Sequence, residues 1–448
     1  MMRLLWRTSA AAIFLGCGGT GPGSQAREAS SVETNLADSR AIGNPSAVTD
    51  WNATAVQFLT PSTFMSTRIL AMTHVAIYDS VMAISHGYEP YAVSVRAPDG
   101  TSAEAAVAAA AHKVLVNQVP AQTAGFDSAY ATALAAIPEG VAKADGIALG
   151  EFVAEWILFL RSGDVLGPAS YSQPQAPGVW QPSGDGYNTG VVATTWPSLT
   201  PFALRSTSQF RAPPPPALSS RTYAANFNEV KSLGATHSTT RSADQTAAAL
   251  FWYENGQIHF NGLARDLASS RGLTISQTAR LFALLNVAMA DGSMTVFDTK
   301  YAYNFWRPIA AIRGAAVDGN AATEADPTWD SLLPLVAPHP DYTSQHAVIS
   351  SAAATVLARF FGNHTTFTLS TGSATANGVA PRTYESFSAA AEENASSRVW
   401  LGWHFPISAH LGTVQGRQVA RFALTHSMRP LRGERDEDGG DDGDGREP

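Results

Sequence analysis

The chain has 448 residues, 45% hydrophobic and 15% charged, with a formal net charge of −8. That is enough for one large domain or two or three ordinary ones with full cores, and it excludes a disordered chain. The acidic balance lacks the basic footprint that nucleic-acid binding needs, so no nucleic-acid partner is expected.

The N-terminus reads as an export signal. Arg3 and Arg7 precede a small, apolar run from Thr8 to Gly16, too short to span a bilayer. The single cysteine, Cys17, follows Phe14-Leu15-Gly16, so residues 1–17 read as a signal peptide of lipoprotein type with Cys17 acylated. The alternative is cleavage near Ser24-Gln25-Ala26 with no anchor. Both imply export, to the periplasm, the membrane surface or the medium. One cysteine allows no intramolecular disulfide. Residues 18–45 are rich in Gly, Ser and Ala and read as a tether. No later segment is expected to cross a membrane.

Helical periodicity dominates from Asn52 onward. Ile69, Leu70, His74, Ile77, Tyr78 and Val81 recur at helical spacing within Ser66–Ile84. Further helices are expected over Ala103–Val119 and Val141–Leu160. A long irregular stretch follows, about 163–219, punctuated by prolines including Pro213 to Pro216. Its Trp180, Trp196 and Phe202 predict that it packs against the body as a cover. Helices then resume over Ser219–Leu233, Ser242–Tyr253, Thr274–Ala290, Ser344–Phe360, Tyr384–Trp400 and Ser408–Thr425. Strand-type alternation is scarce. The expected fold is all-α: packed helical bundles over 46–426, with an anion pocket in the C-terminal half, about 242–426. Residues 432–448 carry eight acids against three arginines and read as a disordered, solvated tail.

Three segments carry chemistry. In Lys300-Tyr-Ala-Tyr-Asn-Phe-Trp-Arg307-Pro308 two cations stand seven positions apart; on a helix they would share one face, among aromatics. Such cations need an anion or a carboxylate, with Asp291 and Asp298 as candidate salt-bridge partners. In Asp341-Tyr-Thr-Ser344-Gln345-His346 the serine marks a helix start, whose free N–H groups and dipole suit an anion, and His346 could act as acid or base. In Ser397-Arg398-Val-Trp-Leu-Gly402-Trp-His404-Phe-Pro406, Gly402 and Pro406 predict a helix break that lets Arg398 and His404 converge. Each segment alone also fits a structural role: a salt bridge, a serine cap, a core histidine.

Taken together, the segments resemble in order and spacing the signature shared by vanadium-dependent haloperoxidases and type 2 phosphatidic acid phosphatases. Lys300 and Arg307-Pro308 match its first part, Ser344 and His346 its second, Ser397-Arg398 and His404 its third. The stretches Leu70–Asp79, Pro213–Leu218, Ala288–Asp291 and Phe305–Arg313 extend the likeness to the long haloperoxidase branch, over roughly Asn52 to Thr425.

The resemblance implies a vanadate cofactor neutralised by Lys300, Arg307 and Arg398, with Ser344 and the Gln345 amide as donors. It implies His404 as the vanadium ligand and His346 and Lys300 as catalytic partners. Hydrogen peroxide, halide and a small organic substrate would be the reactants, and homo-oligomers are expected. In the phosphatase alternative the same cage holds phosphate and His404 is the nucleophile. A non-catalytic surface lipoprotein on the same fold is the second alternative. Two departures stand out. Gln345 occupies a position usually glycine, where a glycine-only φ would be strained. Ser408 stands four residues after His404 where aspartate is common, so it can orient the ring but adds no charge. His339 could shape halide access, His410 could hydrogen-bond near His404, and His74 reads as a core histidine.

Overall fold

A computed structural model describes residues 43–59, 63–167, 169–182, 190–333, 337–372 and 378–431. The expected signal peptide with Cys17 and the acidic tail of 432–448 lie outside the described residues. Thirteen α-helices run through them: α1 Ser46–Leu59, α2 Thr63–Ser85, α3 Ala103–Gln118, α4 Thr123–Ala135, α5 Val141–Leu160, α6 Arg221–Leu233, α7 Ala243–Phe251, α8 Gly256–Ser270, α9 Ile275–Tyr303, α10 Pro308–Gly314, α11 Gln345–Phe361, α12 Phe387–Trp400 and α13 Pro406–His426. Many begin where the chain offers a cap. Ser102, Ser220 and Ser386 accept amide hydrogens of the first turn, and Ser242/Gln245 and Thr274/Gln277 form reciprocal capping boxes.

Helix α9 is the axis of the fold. It packs on α2 to one side and on α11 and α13 to the other, while α3 pairs with α5 and α11 with α12. Every residue from Thr278 to Lys300 is buried. The helix is long and apolar enough to cross a membrane by length and composition, contrary to the expectation that no segment past the N-terminus would be. Its apolarity serves a core, since that whole apolar stretch is inside the protein. It also runs well past the expected end at Ala290. The polar run after Ala290 can be buried within the helix because its hydroxyls are satisfied there: Thr295 and Thr299 donate to the carbonyls of Asp291 and Thr295 at 2.8 and 3.0 Å. Helices α1, α4, α8 and α10 were not delimited in the sequence, and neither was a short antiparallel pair, β1 (Phe367–Leu369) with β2 (Arg382–Tyr384).

Two buried carboxylates hold irregular chain onto this scaffold. Asp79 of α2 accepts the amides of Tyr91, Ala92 and Val93 at 2.6–2.8 Å. Asp291 of α9 accepts those of Phe202, Ala203 and Leu204 at 2.6–3.0 Å. The second clamp anchors the proline-rich stretch, whose one regular piece among the described residues is a 3-10 turn at Trp196–Ser198. Trp180, Trp196 and Phe202 are buried, as a packed cover requires.

Helices α11 and α13 approach so closely that only glycine fits between them at 416. A Cβ there would lie 2.2 Å from both Ser351 Oγ and the Val348 carbonyl oxygen. We predict that Gly416→Ala lowers stability by about 1–3 kcal/mol, read as a reduced denaturation midpoint. Gly314→Ala, with open space around it, should leave the midpoint unchanged.

Candidate oxyanion site

Lys300 stands in the last turn of α9. Its ammonium donates to the carbonyls of Pro340 and Asp341, each at 2.7 Å, which leaves one of its three hydrogens for another acceptor. The helix does not carry on to Arg307. Asn304 takes a left-handed conformation, φ +49°, and ends it. Arg307 therefore enters from the extended residue before Pro308, and the expected shared helical face does not exist. The two cations meet because the chain turns back. Arg307 donates from Nε to the His339 carbonyl and from Nη1 to the Trp403 carbonyl, both at 3.0 Å. The salt-bridge alternative fails on its named partners, since Asp291 is filled by the three amides and Asp298 pairs with Arg211 at 2.7 Å.

The second segment supplies a helix start. Ser344 precedes α11 yet makes no cap to it, and its hydroxyl is buried without a partner. The first amides of α11 are thus left to another acceptor. Gln345 is an ordinary helical residue without positive φ. The strain expected from replacing glycine is absent, because this turn does not need a left-handed backbone. His346 is partly exposed, and Arg398 donates from Nη1 to its Nδ1 at 2.8 Å. Thr343 is pinned by Gln415 of α13 at 2.6 Å, which also holds Thr299 of α9 at 2.8 Å.

The third segment breaks after Trp400. Gly402 sits at φ +80° with the Gly234 carbonyl oxygen 2.6 Å from where a Cβ would be. The amides of Trp403 and His404 fold back on the Arg398 carbonyl at 3.0 and 3.3 Å. Arg398 also donates to the Trp252 carbonyl at 2.9 Å, and its Nε and Nη2 are buried without partners. His404 places Nε2 3.3 Å from Arg307 Nη1 and Nδ1 2.8 Å from Asp341 Oδ1. Ser408 donates its hydroxyl to Asp341 Oδ2. The charge missing at 408 is therefore supplied from another segment. Asp341, for which no role was expected, is the one carboxylate facing His404 among the described residues. The signal was available: an acid inside the second motif, beside a serine where an acid was expected.

Lys300, Arg307, Arg398, Ser344, Gln345 and His404 are all buried. Burial holds the Lys300 ammonium well below its ordinary range and lowers Arg307 to about 10 and Arg398 to about 9. Burial, reinforced by Arg398, keeps His346 neutral; burial, Arg307 and Lys300 do the same for His404. Burial also pushes Asp341 up to about 6 against the pull of Arg307 and Lys300. Three cations thus face one carboxylate, with unpartnered donors at Ser344 and Arg398. Such a set fits a tetrahedral oxyanion with several negative oxygens.

The other histidines separate clearly. His339 is buried with Nδ1 3.0 Å from Arg307 Nη2, so it belongs to the cluster. His410 is exposed and lines a surface groove of about 380 Å³ with Glu229, Glu392 and Arg417; the hydrogen bond expected near His404 is not made. His74 is buried against Asn52 at 2.8 Å, a core position. For the cluster we predict that orthophosphate raises the melting temperature at constant ionic strength. At a hundred times the dissociation constant the gain is about 2.7 kcal/mol. Arg398→Ala should abolish the shift, whereas matched chloride should not produce it.

Residues 280–433, about a third of the chain, match a family model described as the VCPO second helical-bundle domain. The vanadium chloroperoxidase of Curvularia inaequalis is 26% identical, over 66% of this chain and 61% of that protein, so the chain spans about three fifths of its relative's length. A bacterial vanadium-dependent iodoperoxidase structure superposes with a TM-score of 0.74 at 24% identity, covering 87% of this chain and 98% of that one. A bacterial vanadium-dependent chloroperoxidase, in its holo form, gives 0.66 at 18% identity, covering 81% and 91%. These likenesses do not favour the phosphatase alternative. Over residues 280–433 the sequence is thus similar to the second helical bundle of that family model, and the fold over most of the chain is similar to that of bacterial vanadium-dependent haloperoxidases.

Proposed function

We propose that this chain is a vanadate-dependent haloperoxidase that oxidises halide with hydrogen peroxide. Halide, peroxide and one proton give hypohalous acid and water, and a small organic molecule can take up the halogen. The observation that carries the reading is the buried excess of positive charge around an unprotonated ring nitrogen. Arg307 can only donate, so His404 Nε2 facing it is an acceptor and the ring hydrogen stands on Nδ1, toward Asp341. That tautomer leaves Nε2 able to ligate vanadium.

Lys300, Arg307 and Arg398 would hold vanadate by charge, with Ser344 Oγ and the Gln345 amide as further donors. Bound vanadate supplies a Lewis-acidic centre that makes peroxide electrophilic towards halide. His346 works beside it. Arg398 faces its Nδ1, so the neutral ring carries its hydrogen on Nε2 and can exchange protons with an incoming reactant. The basic, apolar N-terminal run supports action outside the cytoplasm, and Cys17 supports a lipid anchor.

The test is bromide and iodide oxidation by purified protein with hydrogen peroxide in phosphate-free buffer, before and after orthovanadate. We expect turnover that appears with vanadate, vanishes in His404→Ala, and falls at least about 100-fold in His346→Ala. Phosphate release from a simple phosphomonoester without vanadate, and no halide turnover, would establish the phosphatase instead. Silence in both assays would leave the non-catalytic lipoprotein reading.

A further inference from the structure

Asp341 is buried completely, 63 positions before the histidine it faces. Its Oδ1 lies 2.8 Å from His404 Nδ1, an ion-pair distance without hydrogen-bond alignment, and both atoms are buried with no other hydrogen bond. Its Oδ2 accepts the hydroxyl of Ser408, itself buried. Its backbone is fixed as well: the carbonyl accepts from Lys300 and the amide donates to the Phe305 carbonyl at 2.9 Å. A carboxylate held on so many sides has one orientation, and that orientation presents an oxygen to the far nitrogen of the ring.

We propose that Asp341 is the positioning residue for His404, and that Ser408 holds the Asp341 carboxylate in register. Asp341 fixes the ring's hydrogen on Nδ1, turns Nε2 towards the anion, and makes that nitrogen a stronger donor to a metal. This rests on reading His404 as the vanadium ligand, and it assigns the charge at that ring to the loop before α11. Lys300 binds the carbonyl of the same residue, so one short segment sets both the ammonium and the ligand. Ser408 touches the same carboxylate, so an acid placed at 408 reaches the same ring.

The test moves the carboxylate between the two positions in the full chain. Vanadate affinity is measured by titration calorimetry in phosphate-free buffer. Asp341→Ala should weaken binding roughly ten- to a hundredfold, and Ser408→Asp in that background should recover most of the loss. A carboxylate that merely holds the loop cannot be replaced from α13. A double variant with native circular dichroism that binds no better than Asp341→Ala therefore overturns the proposal, as does undiminished binding in Asp341→Ala. A second readout needs no vanadate. With the histidines 15N-labelled and His404 assigned by its loss in His404→Gln, Asp341→Asn, which keeps the volume, should move the His404 nitrogen shifts. Identical shifts would overturn the proposal. If the parent chain binds no vanadate the functional reading fails, and the nitrogen shifts still decide the role of Asp341.

Discussion

Three cations are buried together, and one carboxylate does not balance them. Lys300, Arg307 and Arg398 surround His404 in a volume from which each would be expelled if unpartnered. Much of the C-terminal half can be understood as the means of holding them there. Helix α9 carries Lys300 to the site, the turn at Asn304 reverses the chain to deliver Arg307, and the break at Gly402 sets His404 beside Arg398. Backbone carbonyls of Trp252, His339, Pro340, Asp341 and Trp403 take up part of the hydrogen-bonding demand. They soften the desolvation without cancelling the charge. What remains is an electrostatic deficit shaped for an anion.

Neutral histidines complete that arrangement. A cationic ring at 346 or 404 would add to the repulsion; desolvation lowers both rings well below the ordinary histidine range, reinforced by Arg398 at 346 and by Arg307 and Lys300 at 404. Each ring presents one nitrogen to an arginine that can only donate, which fixes the tautomer of both through their surroundings. The same guanidinium groups that make the cluster positive therefore also set where the ring protons lie. Charge and proton inventory are two aspects of one network.

The sequence carried much of this. The long amphipathic periods marked most helices, and Val141–Leu160 has the expected ends. The three motifs named the cations and histidines that now meet, because their spacing is local and chemical. What escaped the sequence was contact over distance. Asp341 reaches His404 across two helices and a hairpin, and no periodicity encodes that approach. The face shared by Lys300 and Arg307 was misjudged because a single left-handed asparagine reverses the chain. Helix α9 was cut short because the polar run Asp291-Gly292-Ser293 after Ala290 interrupts its apolar pattern, while the structure satisfies that run inside the core.

Asp291 and Lys300 lie nine residues apart on one helix, about 13.5 Å along its axis. Asp291 pins the cover at Phe202–Leu204, Asp298 holds it again at Arg211, and Lys300 joins the buried charge cluster. Roof and floor are thus ruled off the same rod. The roof cannot drift without bending that rod, yet its sequence between the pins is free of the floor's chemistry. Substitutions between the two pins can reshape the cover while the charged groups at the end of α9 keep their places.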